Sequence, residues 1–273
     1  MTGRETTWTQ KLAVGLLAAA LFATLFAGYL APSGYQTQFR EATNARSSTG
    51  HLLGTDDLGR DRFSRVLYGM RISLFLAPLA AALSTLLAAL VGGLAGYLGG
   101  TAERCCLFVV DLFLSIPWLF LLITVRALLP LNISPQASVL TTFLLLGILG
   151  WAASARVICA GARNLMASDF LWLARASGFS GAKLVRLHLL PNLRPALLAQ
   201  FAISIPVFII AEANLGALGL GVSEPLPSLG SLLRELQSGV LLHPSPWQFV
   251  PLAVLLVVVG CFQILINQLE VTA

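Results

Sequence analysis

Residues that could carry out chemistry are sparse in this sequence, and their spacing fits no reaction centre. No Gly-x-x-x-x-Gly-Lys-Ser/Thr loop is present to cradle phosphates, and Gly219-Leu220-Gly221 alone makes no nucleotide site. The chain therefore carries no ATP-hydrolysing engine. Its three histidines, His51, His188 and His243, belong to no His-Glu-x-x-His motif, and apolar runs separate them onto opposite sides of a bilayer, so they form no metal site. No Gly-x-Ser-x-Gly nucleophile elbow occurs. The four cysteines, Cys105, Cys106, Cys159 and Cys261, lie in or beside apolar runs without ligand spacing and read as small hydrophobes. We expect neither an enzyme nor a cofactor or metal centre.

Three ionisable residues stand out because charge near hydrocarbon is costly. Glu212 sits in Ala211-Glu212-Ala213-Asn214 at the end of an apolar run. Together with Asn214 it is a candidate for lining a translocation pathway, or it is an acid paired at a subunit interface. Asp111 is expected to pair with Arg104 on its own helix, and Arg156 to snorkel to the headgroups.

The elements that would position these residues are apolar helices. Of 273 residues, 57% are hydrophobic and 11% charged, where soluble domains carry about 25% charged residues. A span needs about 20 apolar residues whose backbone groups are paired within the segment. Six runs reach that length, 12–31, 72–98, 105–128, 137–160, 196–215 and 248–267, so the fold class is all-α, a polytopic membrane protein with six transmembrane helices. The first run follows Arg4 and Lys11 as a signal peptide would, but it is too long and lacks a cleavage site, which makes it an uncleaved span. The net charge of +5 is scattered between apolar runs, so nucleic acid is not the partner and the lipid bilayer is.

Orientation follows from the bases. The 161–194 loop holds Arg163, Arg175, Lys183, Arg186 and Arg194 against Asp169, which places it and both termini in the cytoplasm. The 32–71 segment conflicts with this, because Arg40, Arg46, Arg60, Arg62, Arg65 and Arg71 would then lie outside, offset only by Glu41, Asp56, Asp57 and Asp61. Residues 58–71 show Phe63, Val66 and Leu67 at helical spacing, which predicts a short amphipathic helix at the membrane surface. We divide the chain at that point: 1–70 as first span and external segment, 71–267 as the core that holds the remaining five spans. Gly92, Gly96 and Gly100 predict a close helix approach.

The 161–194 loop is the most informative stretch. Asp169-Phe170-Leu171-Trp172-Leu173-Ala174-Arg175-Ala176-Ser177-Gly178-Phe179-Ser180 predicts a helix ended by Gly178. Gly181 breaks the next turn, and Pro191 in His188-Leu189-Leu190-Pro191-Asn192 restarts the chain toward the fifth span. This loop resembles the cytoplasmic signature of the inner-membrane permeases of binding-protein-dependent ABC importers: Glu-Ala-Ala, three residues, Gly, nine residues, Ile-x-Leu-Pro. Ala174, Gly178, Leu190 and Pro191 fall on its positions, and the ending at His188 is similar to the dipeptide, oligopeptide and nickel branch. Leu53-Gly54-Thr55-Asp56-Asp57-Leu58-Gly59-Arg60-Asp61, Tyr68-Gly69-Met70-Arg71-Ile72-Ser73, the run from Ala211 to Gly221 and Pro227-Ser228-Leu229-Gly230 support the same branch over about residues 50–267. The chain departs from the pattern where the glutamate position holds Trp172 and the first alanine is Leu173.

The resemblance implies a type I ABC importer permease fold working by alternating access. It also implies a second homologous permease, two cytoplasmic ATPase subunits and an external substrate-binding protein in a bacterial inner membrane. It makes the loop a coupling helix, with Asp169, Trp172, Ala174, Arg175, Ser177, Gly178, Phe179, His188 and Pro191 at the ATPase contact. Trp172 removes one charged contact and offers an aromatic anchor instead. Peptides, nickel complexes or other small solutes are the implied cargo. The competing reading is an ion-gradient-driven secondary transporter or channel, which would show internal repeats and several intramembrane acids.

Overall fold

The computed structural model describes residues 8–130, 133–242 and 246–272, so Arg4 and His243 fall outside the described residues. In chain order the helices are α1 (Trp8–Leu25), α2 (Ala27–Leu30), α3 (Arg62–Leu98), α4 (Gly100–Ser115), α5 (Trp118–Leu128), α6 (Pro135–Leu149), α7 (Trp151–Met166), α8 (Asp169–Ala176), α9 (Gly181–Leu184), α10 (Leu190–Ala217), α11 (Leu229–Leu242) and α12 (Val250–Thr272). Among the described residues there are no strands, only two isolated bridges in the segment before α3.

Five apolar helical stretches are long enough to cross a bilayer: α1, α3, α6 with α7, α9 through α10, and the 246–267 segment. The expected third span, 105–128, is broken, and α4 and α5 meet at 79°. Pro117 causes the break. It has no N–H to donate and its ring drives Ile116 into an extended conformation (φ −96°, ψ 128°). The pair still runs from one end of the bundle to the other. α4 starts where α3 stops, and Arg126 at the end of α5 shares a cavity with Arg60 beside the start of α3. Six crossings result.

α3 is the axis of the bundle, and its 37 residues make it about 55 Å long, well beyond the hydrocarbon thickness. Its second half packs on α7. A Cβ on Gly92 would stand 2.2 Å from the Ala155 carbonyl oxygen, and one on Gly96 would stand 2.5 Å from that of Cys159. The two backbones are therefore in contact, as small-residue stripes allow. Gly100 does not join this stripe; it lies past the helix end with φ +58° and nothing nearby. The first half of α3 packs on α10 and α11, with Gly69 against the Ser228 backbone, and α10 and α11 themselves meet backbone to backbone at Gly216 and Gly230. The separate surface helix expected over 58–71 is instead the beginning of α3, which starts at Arg62 and continues unbroken into the span. Burial of Arg65 inside protein, rather than its exposure at headgroups, explains the difference.

α1 and α12 pack side by side. α2 follows α1 and reaches the start of α3, where Gly28 approaches the Tyr68 hydroxyl, and α12 begins beside Arg62, Val66 and Glu235. Both helices therefore have their other ends at the α8 side of the bundle.

Candidate functional site

At the α8 end, the chain builds a small helix on a firm base. Asp169 lies in the first turn of α8 and Arg175 in the last, the arrangement that the helix dipole favours. The helix ends as the sequence predicts. The Gly178 N–H donates to the Arg175 carbonyl at 3.0 Å and the Phe179 N–H to that of Ala174 at 3.1 Å, with Gly178 at φ +88°. The Ser177 hydroxyl donates to the Leu173 carbonyl. Leu171 and Ala174 face inward onto Ile158, Ala162, Met166, Leu184 and Leu193. Ala174 thus holds the helix in place from below, whereas Trp172 (60% exposed) and Leu173 (71%) stand outward with Phe170. The Arg175 guanidinium lies 5.8 Å from the Trp172 ring centre.

Phe179 and His188 stack edge to face at 5.0 Å, and the Lys183 ammonium sits 4.8 Å above the Phe179 ring. Asn192 donates to the His188 carbonyl at 2.6 Å. Pro191 is the exposed second residue of α10, and the chain does not restart there. It passes from α9 through a π turn, Val185–Leu189, straight into α10. That wider turn accommodates Pro191, which cannot donate to the carbonyl four residues back.

At the opposite end of α3, a folded segment and a polar cluster close the bundle. Gly54 (φ +70°) and Gly59 (φ +74°) let the chain fold back on Ala45 and Phe39, whose carbonyl oxygens would stand 2.3 Å from a Cβ at either glycine. Asp61 caps α3 by accepting from the Ser64 N–H at 2.8 Å, and its other oxygen meets His51 Nδ1 at 3.0 Å. Asp56 accepts from the Arg60 N–H at 2.8 Å and from Arg60 Nε at 2.6 Å.

Arg60 and Arg65 then reach across to residues more than 150 positions away. Arg60 Nη1 lies 2.6 Å from Glu224 and Nη2 3.4 Å from Glu235. Arg65 Nη2 lies 3.0 Å from Glu224 and also pairs with Glu235, and its Nε is 3.7 Å from Asp56. Burial pushes the Glu224 carboxyl up, but Arg65 and Arg60 outweigh it and hold the group below the ordinary range. Glu235 goes the other way, to about 7, because burial and the neighbouring Asp56 and Glu224 charges outweigh the arginines. A cavity of about 690 Å³ opens beside the cluster, lined by Arg60, Arg126, Ser223, Glu224, Arg234 and Glu235 among others.

Glu212 and Asn214 are not brought together. Glu212 is fully buried between α3, α10 and α11 and accepts from the Ser73 hydroxyl at 3.1 Å. Asn214 is exposed on α10, in one stripe with Val207, Ile210 and Leu218. Asp111 pairs with Arg156 of α7, not with Arg104, which is two turns away on its own helix, and Arg156 therefore does not snorkel freely. Both partners are more than half exposed.

Sequence reasoning missed Arg65, Glu224, Glu235 and Arg126. A lone base closing an apolar run was the available signal for Arg126. For the others the signal was pairing across the chain, which spacing does not contain.

These features define a polytopic helical membrane subunit, with a docking-sized helix at one end and a polar vestibule at the other. Residues 88–270 match the family described as binding-protein-dependent transport system inner membrane component, and the chain belongs to that family. It is 32% identical to the oligopeptide transport system permease protein OppC of Mycobacterium bovis over 92% of this chain and 86% of that protein. It is 29% identical to the dipeptide transport system permease protein DppC of Bacillus subtilis over 82% and 69% of the two chains. It is 32% identical to the glutathione transport system permease protein GsiD of Pectobacterium atrosepticum over 91% and 81%. The chain is thus an integral, multi-pass permease subunit of an ABC importer of the dipeptide and oligopeptide branch, a transport subunit rather than an enzyme.

Proposed function

We propose that this subunit forms half of a peptide pathway across the bacterial inner membrane and is driven through α8 by separate ATPase subunits. The observation that carries the reading is the surface of α8. Trp172, Leu173 and Phe170 are exposed together on a helix whose opposite face is locked into a core. Asp169 and Arg175 share the helix with this patch, Arg175 lies against the Trp172 ring, and Lys183 and Arg186 are exposed on the segment that follows, a polar setting that argues against lipid. An apolar patch with a polar rim on a rigid base fits a protein partner. The α8 end is then cytoplasmic, as the five bases of the loop favour, and both termini share that side. Arg60 and Arg65 then lie outside, against the positive-inside tendency, where they are paired with acids.

In this arrangement a second permease completes the pathway, the exposed α10 stripe with Asn214 lines it, and an external binding protein delivers cargo to the vestibule end. ATP-driven approach of the ATPase subunits draws the two α8 helices together and opens the pathway outward. Peptides are the favoured cargo, in keeping with the names of the relatives.

The test is purification from native membranes in mild detergent, comparing the unaltered chain with Trp172→Ala. ATPase subunits should co-purify with the former and dissociate from the latter, with affinity reduced about 30-fold or more, as loss of a central aromatic anchor implies. Emergence of the unaltered chain alone, with uptake that follows an ion gradient, would support the secondary transporter instead.

A further inference from the structure

Arg126 is the buried charge that the paired clusters leave unaccounted for. It is fully buried in the last turn of α5. Its guanidinium makes a single hydrogen bond, from Nη2 to the Ser138 hydroxyl oxygen at 3.2 Å, while Nε and Nη1 meet no acceptor. No carboxylate among the described residues pairs with it. Ser138 is itself held by the Ser223 N–H at 3.2 Å and the Ser223 hydroxyl at 3.0 Å, and donates to the Gly221 carbonyl at 3.3 Å. This small network orients the guanidinium but cannot neutralise it.

Arg126, Ser223 and Gly221 all line the 690 Å³ cavity. Arg60 in the same wall is saturated by Asp56, Glu224 and Glu235. Burying a charge without a partner is strongly unfavourable, so the site is incomplete as it stands.

We propose that Arg126 binds a carboxylate of the transported solute, the terminal carboxylate in the case of a short peptide. Nη1 and the second N–H of Nη2 form the end of the planar guanidinium fork, which matches the two oxygens of a carboxylate, and a small outward shift of the side chain brings that end into the cavity. The cavity lies within the range of about 300–1,000 Å³ that encloses small ligands. Glu224, Glu235 and Asp57 share the wall with Arg60 and Arg234, so the lining carries both signs, which suits a solute with one carboxylate and a positive group elsewhere. The nature of the cargo rests on the peptide-importer reading; the carboxylate site does not.

The experiment compares the unaltered chain with Arg126→Gln, which keeps a donor for Ser138 and removes the charge. The chain is assembled with its partner subunits in proteoliposomes and supplied with trialanine or trialanine amide. The binding protein is common to both, so its preferences cancel in the variant-to-wild-type ratio. Arg126→Gln should lower kcat/KM for trialanine about 10- to 100-fold, the range of one charge-assisted pair, and change the amide less than about twofold. Equal losses for both probes, or no loss for either, overturn the proposal.

In parallel, the thermal stability of the full-length chain is measured with each probe. Trialanine should raise Tm relative to its amide, and only when Arg126 is present. If this shift occurs but neither probe is transported, the peptide reading fails and the site stands. If it is absent, the site fails whatever is transported. Loss of the second permease on purification of Arg126→Gln would also overturn the proposal, because the counter-ion would then be an acid of that subunit.

Discussion

Replacing Glu235 by glutamine should stabilise the protein above neutral pH, although it removes an ion pair. The Arg60 and Arg65 guanidinium groups pair with three carboxylates, Asp56, Glu224 and Glu235. Burial is the largest penalty and the neighbouring Asp56 and Glu224 charges add to it, so the Glu235 carboxyl is pushed to about 7 even though Arg60, Arg62 and Arg65 all face the cluster. A carboxyl whose folded value exceeds its ordinary value binds its proton more tightly in the folded state. Stability is then lost as pH rises from about 4.5 to about 7, and the loss is complete above that range. Moving from 4.5 to about 7 corresponds to about 3 kcal/mol of opposition to folding. Glutamine imitates the protonated acid, keeps an oxygen for Arg65 and removes the buried charge. The assay is thermal unfolding in mild detergent at pH 5 and pH 8. The unaltered protein should lose stability between the two, whereas Glu235→Gln should lose less and be the more stable of the pair at pH 8. Glu224 titrates below its ordinary value and leaves this window untouched. A variant less stable than wild type at pH 8 would refute the reasoning and show that Glu235 acts as an ordinary ionised partner of Arg65.

Other outcomes follow from single positions. At Gly178 a Cβ meets nothing within 4 Å, so only the φ of +88° resists substitution. Gly178→Asn should retain uptake, while Gly178→Val and Gly178→Arg should lose it with membrane insertion intact, each straining the α8 end by about 1–2 kcal/mol; equal uptake by all three would remove the assignment. Gly92→Ala should separate α3 from α7 and cost about 1–3 kcal/mol by overpacking, whereas Gly93→Ala, whose Cβ would find only Ile158 at 3.9 Å, should be neutral. Folded yield in membranes and Tm check the pair.

The crossings were legible because each is a predominantly apolar run long enough to span, and the α8 terminus was legible because glycine is the residue that takes φ +88° readily. Local signals reached no further. Residues 58–71 look amphipathic whether they lie on a membrane or begin a long helix, and only the acids of the 218–236 region decide that Arg65 is buried. The spacing of Arg104 and Asp111 suggested a partner on the same helix, but α7 supplies a nearer one in Arg156. Pro117 sat in plain view inside an apolar run, and its bend was overlooked because hydropathy reports length and not direction.

α3 also gives the subunit a mechanical property. One end is fastened to α7 beneath the α8 base by contact of bare backbones at Gly92 and Gly96, and the other carries Arg65 and the capped turn at Asp61. The parallel route through α4 and α5 is jointed at Pro117. α3 holds a proline of its own, Pro78, yet its helix runs on through it without the break seen at Pro117, so it is the continuous member of the pair. Over a length of about 55 Å, a tilt of about five degrees at the fastened end carries the far end about 5 Å. That sweep exceeds the reach of any ion pair in the vestibule, so a slight rocking motion at one membrane face suffices to unlatch the other.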